Sequence, residues 1–327
     1  MAKDIDPIDA KLLDILQTNF PITSRPFAAI ARRLDITAED VIKRIKRLKS
    51  ERIIRQISAI FDSRALGYSS TLVAFKVEPQ SLDCVAESVS SHSGVSHCYS
   101  RDNDYNLWFT ITVGPDKDIA AEVEALAGDK SVLSYILLPS IRLFKIGVFF
   151  SMSDASPEPR IPVTRKAEPN ITSLSEAQIA AVRALQKDIP IVDSPFAELA
   201  SQANMAESAL LEYADQFLKS GTMRRFAAVL RHQKAGYNAN AMVCWRVEDE
   251  QITRIGEIMA EHDAVSHCYQ RPATSDWPYP LYTMIHGRTE DEISRIISDL
   301  CASSGAQDYK ILRTVKEYKK SRVVYFE

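Results

Sequence analysis

VSHCYSRDNDYNLWFTITVG, residues Val95 to Gly114, reads as two strands joined by a tight turn. The acidic DND step breaks the chain between two runs rich in aromatic and β-branched residues. Its first five letters return as VSHCY at Val265 to Tyr269, followed by Gln270 and Arg271. Upstream of the first copy, SSTLVAFKVE predicts a strand and LDCVAESVSSH a helix. Downstream, DKDIAAEVEALAGDK predicts a helix and SYILLPSIRLFKIG a closing strand. The order β-α-β-β-α-β is the ferredoxin-like split motif. NANAMVCWRVE, EQITRIGEIMAEHD, VSHCYQR, LYTMIHG, TEDEISRIISDLCASSG and a long strand ending in SRVVYF repeat it.

The repetition extends further toward the N-terminus of each unit. RQISAIFDSRALGY (Arg55 to Tyr68) aligns with RRFAAVLRHQKAGY (Arg224 to Tyr237), and FPITSRPFAAIARRL (Phe20 to Leu34) with IPIVDSPFAELASQA (Ile189 to Ala203). The constant offset, about 170 residues, marks a tandem duplication. In the first copy, DPIDAKLLDIL, FAAIARRL and VIKRIKRLKSERII carry apolar residues at helical spacing, with a short turn at DITAED. Thr37 followed by Asp40 marks a helix start. An extended IIRQISAIF after the last helix completes a winged helix-turn-helix pattern. The expected architecture is α+β. Helix-turn-helix domains span 1–60 and 173–230, and ferredoxin-like domains span 61–150 and 231–327. SMSDASPEPRIPVTRKAEPNIT (151–172), with four prolines, is expected to be a linker.

Composition narrows the class. The chain has 327 residues, 46% hydrophobic and 25% charged, with a formal net charge of −3. Such a balance provides no global basic field for nucleic acid or an anionic membrane. Five cysteines without CxxC spacing argue for a reducing compartment and against a disulfide framework or zinc ribbon. The charged, helix-periodic start MAKDIDPIDAKLLDIL does not resemble a signal peptide, and no apolar run reaches membrane-spanning length. A cytoplasmic protein with no membrane partner is expected.

Side chains alternate along a strand, so Val95, His97, Tyr99 and Arg101 are expected on one face and Ser96, Cys98 and Ser100 on the other. The small residues suit packing beneath helices. The large polar ones suit an open face that meets the other copy's sheet in a pseudo-twofold interface. The cleft between the sheets would then hold His97, Tyr99 and Arg101 beside His267, Tyr269 and Arg271. That grouping offers proton transfer and anion binding, or alternatively contacts that merely seal the interface. No acidic or thiolate group is spaced to complete a protein metal site beside the histidines. A DNA-binding regulator is the competing class. Residues Thr37 to Arg55 contain seven basic and three acidic residues, but Glu207 to Arg225 contain three of each. A twofold regulator needs both recognition helices to neutralise phosphates. DNA is therefore disfavoured as a partner.

Helix-turn-helix followed by β-α-β-β-α-β resembles the Lrp/AsnC family of regulators. Within it, the strings RPFAAIARRL, RQISAIFDSRALGY, VSHCYxR, DYNLWFTI and RRFAAVLRHQKAGYNANAMVCWRV resemble the sirohaem decarboxylases of the alternative haem and d1-type haem pathways. The resemblance covers nearly the whole chain, with the family's two usual subunits fused. It implies removal of carbon dioxide from two acetate side chains of sirohaem to give 12,18-didecarboxysirohaem. It requires no cofactor, because the iron belongs to the substrate. A tetrapyrrole bearing eight carboxylates calls for cationic residues, and Arg64, Arg101, Arg231, Arg246, Arg271 and Lys234 are the candidates. Trp108, Trp277 and Tyr282 are candidates to face the ring. His97 and His267 are the expected acid-base groups, with Tyr99 and Tyr269 as orienters, and either histidine could instead ligate the substrate iron. His232 and His286 have no counterpart in the first half, where FDSRALGY and Thr112-Val113-Gly114 stand instead. The principal site is therefore expected to be organised by the second half. A further homodimer is left open.

Overall fold

The computed structural model describes residues 5–146, 174–230 and 239–327. The linker expected at 151–172, together with Arg231, His232 and Lys234, lies outside the described residues.

The first copy begins with α1 (Pro7–Thr18), α2 (Pro26–Leu34) and α3 (Ala38–Ser50), then the wing strand β1 (Ile54–Phe61). Local chemistry sets the helix starts. Asp6 and Asp9 form a reciprocal capping box at α1, and the Thr37 side chain accepts the Asp40 N–H at 3.1 Å, as the sequence predicts. Then come β2 (Ser69–Val77), α4 (Leu82–Ser91), β3 (Val95–Arg101), β4 (Leu107–Val113), α5 (Ile119–Leu126), β5 (Val132–Pro139) and β6 (Arg142–Ile146). The second copy runs α6 (Glu176–Leu185), α7 (Pro195–Gln202), α8 (Glu207–Ser220), β7 (Met223–Leu230) and β8 (Ala239–Trp245). It ends with α9 (Ile252–Glu261), β9 (Val265–Gln270), β10 (Leu281–Gly287), α10 (Glu290–Ser304) and β11 (Tyr309–Lys320).

The two helix-turn-helix units fuse into one body. β1 and β7 pair antiparallel, and one apolar core joins Leu16, Ile45 and Phe27 of the first unit to Leu185, Phe196 and Phe226 of the second. The chain's last residues join it too, with Tyr325 buried among these groups. From Arg322 onward the chain therefore leaves the ferredoxin-like domain in which the expected 231–327 boundary places it.

Both ferredoxin-like units form, with α4 and α5 covering one sheet and α9 and α10 the other. Their uncovered faces meet around Trp108, Trp277, Tyr282, Leu138 and Leu312, giving the expected pseudo-dimer. The closing strands, however, do not stay at home. The long strand expected from SYILLPSIRLFKIG is two. β5 pairs with β2 in its own sheet, whereas β6 pairs with β9 of the other copy. Reciprocally, β11 pairs through Tyr309–Arg313 with β8 and through Thr314–Lys320 with β3. The strand order is accordingly β5-β2-β4-β3-β11-β8-β10-β9-β6, one nine-stranded sheet contributed by both copies.

A second departure concerns the opening pentamer. Pairing of β3 with β4 slips between Val95 and His97, and pairing of β9 with β10 slips at the matching place, between Met284 and Ile285. A bulge inserts one extra residue and resets the alternation. Val95 therefore packs beneath the helices with Cys98, not in the cleft as alternation alone predicts. His97, Tyr99 and Arg101 keep the cleft face, and Ser96 joins them there.

Candidate active site

A cavity of about 820 Å³ opens between the two halves of the nine-stranded sheet and the β1–β7 ribbon. His97, Tyr99 and Arg101 enter it from β3, and His267 and Tyr269 from β9 with Arg271 just beyond that strand. The second half adds Tyr282, Met284 and His286 from β10. Arg64, Trp108, Arg224 and Lys320 also contribute to the wall. The i, i+2 spacing on each strand stacks a His-Tyr-Arg ladder. In the ladders His97 and Tyr99, and likewise His267 and Tyr269, have ring centres 6.2 Å apart. The Arg101 guanidinium lies 5.2 Å from the Tyr99 ring centre, and Arg271 lies 4.9 Å from Tyr269 and 5.6 Å from Tyr282.

Each ladder arginine is anchored by the opposite copy. Arg101 Nη1 donates to the Leu312 carbonyl at 3.0 Å and to Thr314 Oγ1 at 2.8 Å. Arg271 Nη1 donates to the Leu138 carbonyl, the pseudo-equivalent position. Strands β5 and β11, each from the opposite copy, thus hold the guanidinium planes in place. Among the described residues the buried Nε of both arginines has no partner. Arg64 is tied through Nη2 to the Ser140 carbonyl, and Arg224 pairs with Asp62 at 3.1 Å.

Electrostatics separate the roles. Burial pushes the His97 imidazole down to about 4, helped by the positive charges of Lys320 and Arg55. Burial takes His267 to about 3, with His286, His97, Arg224 and Arg225 adding repulsion. Both rings are neutral at pH 7 in this environment. Burial, and then the neighbouring Glu317 carboxylate, raises Tyr99 above its ordinary range, and burial raises Tyr282 likewise, so these phenols keep their protons.

The cavity therefore gathers His97, His267, Tyr99, Tyr269, Arg64, Arg101, Arg271, Tyr282 and His286 from the sequence-predicted residues. It does not gather two others. Arg246 is exposed, facing Asp308 at 3.6 Å on the surface. Trp277 is not a wall of the cavity; it is 1% exposed in the apolar core, its Nε1 donating to the Tyr282 hydroxyl at 2.8 Å. Through that bond it braces Tyr282, which does reach the cavity. Sequence reasoning passed over Arg224, Lys320 and Ser96. Arg224 stands in register with Arg55 in the repeat, and Lys320 ends the basic KEYKK run, so each had a visible signal. Ser96 had none, because a bulge leaves no mark in an alternating strand. Among the described residues no group of three or more His, Cys, Asp or Glu side chains could hold a metal ion.

Two ferredoxin-like units sharing a cation-lined cavity beside paired helix-turn-helix units define an Lrp/AsnC-like ligand-binding protein. The family model for the AsnC-like ligand binding domain matches residues 65–145 and 234–319, once per copy. A second, for the "Siroheme decarboxylase NirDL-like HTH domain", matches 9–55 and 178–224. The chain belongs to the sirohaem decarboxylase family. It is 38% identical to the sirohaem decarboxylase of Hydrogenobacter thermophilus, across 97% of this chain and 94% of that one. The beta and alpha sirohaem decarboxylase subunits of Desulfovibrio desulfuricans are 42% and 39% identical. Each spans 46–47% of this chain, over 96% and 88% of its own length. A crystal structure of the sirohaem decarboxylase NirDL in complex with an iron-uroporphyrin III analogue superposes with a TM-score of 0.76 at 32% identity, covering 98% of this chain and 95% of that one.

Proposed function

We propose that this chain is a carboxy-lyase that removes carbon dioxide from two acetate side chains of sirohaem, binding the macrocycle in the shared cavity. The carrying observation is the duplicated His-Tyr-Arg ladder, its two copies opening into one chamber. Arginine forks suit the substrate's ring of carboxylates, and the aromatic and methionine side chains suit its flat face. In each step the bond between methylene and carboxylate breaks, carbon dioxide leaves, and the electron pair stays on the methylene. One proton then converts that carbon to methyl. No electron is gained or lost overall, so the step calls for no redox cofactor.

The neutral histidines are compatible with this chemistry. Carboxylates brought in by the substrate favour the imidazolium form and raise the histidine pKa, so binding itself recruits the proton. An acid held at the methylene contributes about 10²–10⁴-fold. We read the histidines as this acid-base pair, with the tyrosines orienting them and the substrate iron open to axial ligation by one. The free state of all five cysteines fits a cytoplasmic setting, and among the described residues no helix is long and apolar enough to cross a membrane.

The regulator reading loses support from the first recognition helix. Its Arg44 is committed to Asp6, Asp9 and Asp40 at 2.6–2.9 Å, Arg47 to Asp9 and Glu51, and Lys49 to Asp188. Anaerobic incubation of the purified protein with sirohaem tests the proposal by product mass. Loss of one and then two carbon dioxide units is expected. An unchanged mass, with tight salt-sensitive binding to its own promoter DNA, would overturn it.

A further inference from the structure

The identical pentamers conceal a difference between the copies. In each, the bulge leaves a serine beside the histidine, with Ser96 Oγ 3.0 Å from His97 Nδ1 and Ser266 Oγ 2.8 Å from His267 Nδ1. A hydroxyl has one hydrogen to donate and can accept others. Ser266 Oγ also lies 3.2 Å from the Met284 carbonyl, which can only accept. With its single hydrogen directed to that carbonyl, the contact with His267 is donated by the ring. Among the described residues Ser96 Oγ has no such carbonyl. Its hydrogen can point toward Nδ1 or away from it.

We propose that Ser266 locks His267 in the Nδ1–H tautomer, presenting the Nε2 lone pair to the cavity, while Ser96 lets His97 carry a proton on either nitrogen. The serines are positioning residues and touch no reacting atom. Their consequence for catalysis rests on the decarboxylase reading. His267 is the fixed lone-pair donor, suited to accept a hydrogen from the substrate or to approach its iron. His97 is the ring that can take up and release a proton without losing its serine contact. Desolvation favours the neutral form of both rings, the form that has a tautomer to choose. Fixing the tautomer of a functional imidazole through its second nitrogen is a general device, and removing such a partner typically costs about 10–100-fold.

The test uses the full chain, labelled with ¹⁵N-histidine and free of ligand. Long-range proton–nitrogen correlation distinguishes protonated from bare ring nitrogens, and His97→Asn and His267→Asn variants identify the signals among six histidines. His267 is expected to show a protonated Nδ1 and a bare Nε2. Ser266→Ala should move it to a mixture, and Ser266→Thr, which keeps the hydroxyl, should restore it. Ser96→Ala should change His97 and leave His267 as it was. A protonated Nε2 on wild-type His267, or a Ser266→Ala spectrum identical to wild type, overturns the proposal. In turnover of sirohaem, Ser266→Ala should lower kcat about tenfold with little change in KM, and Ser266→Thr should recover it. A wild-type protein that leaves sirohaem intact overturns the decarboxylase reading, while the tautomer assignment still stands or falls on the spectra. Turnover by wild type matched in both rate and spectra by Ser266→Ala overturns the serine proposal alone.

Discussion

His97 and His267 are titratable groups whose environment opposes charge. In the unfolded chain they would protonate near 6.5, and in the folded protein only near 4 and 3. The unfolded state therefore binds more protons from about 6.5 down to about 4 for His97 and about 3 for His267, and stability is lost as pH falls through these intervals. Proton NMR titration should find both midpoints well below 6.5, and an octacarboxylate iron porphyrin should raise at least one of them. Midpoints at the ordinary value in the free protein would remove the electrostatic basis of the site. The arginines make a separate prediction. Arg101→Lys keeps the charge but loses the fork held by Leu312 and Thr314; with the carboxylate-binding role proposed for it, KM for sirohaem should rise about tenfold or more. Arg246→Ala should leave turnover within about twofold, since an exposed ion pair contributes little. At this scale the histidine ladder was legible, because strand alternation fixes which side chains travel together. The roles of Arg246 and Trp277 were not, because residue type does not reveal whether a cation or an indole near a strand faces solvent, core or cavity.

Among the elements, the exchanged strand β6 has a contact that can be tested. Its Phe144 ring lies against α9 at Gly256, where an added Cβ would fall 2.5 Å from ring carbon Cζ. Alanine in a helix interior gains about 0.5–1 kcal/mol over glycine, but overpacking costs about 1–3 kcal/mol. Gly256→Ala should thus lower the melting temperature in the wild-type background and lower it less, or raise it, in a Phe144→Ala background, the coupling expected of residues in contact. Strict additivity would show that β6 does not rest on α9 in solution. The helices and most strands could be read from periodicity and caps, Thr37 and Asp40 among them. The exchange of β6 and β11 could not. A strand's sequence states which face it buries, but not which of two near-identical sheets receives it. Nor does the pattern of VSHCY announce a bulge, since Ser96 is small enough for either face.

For the whole molecule, exchanged strands and a common helix-turn-helix core mean that neither copy completes its own fold. Fragments 1–150 and 173–327, produced together, should co-purify and turn over sirohaem, as expected of a chain whose relatives include separate subunits. Each fragment alone should be unstable. Duplication and domain order were legible in the sequence because the repeat is written there; the interlocking was not, because it arises only when the copies meet. One shared chamber, with a histidine from each copy, predicts that the copies act together. The most direct measurement is the time course of sirohaem, mono- and didecarboxylated products under anaerobic conditions for His97→Ala and His267→Ala separately. A shared cavity predicts that each variant slows loss of both carboxylates by about 10²-fold or more. Accumulation of a monodecarboxylated product at the wild-type rate in each variant would contradict it, and would mean two independent sites.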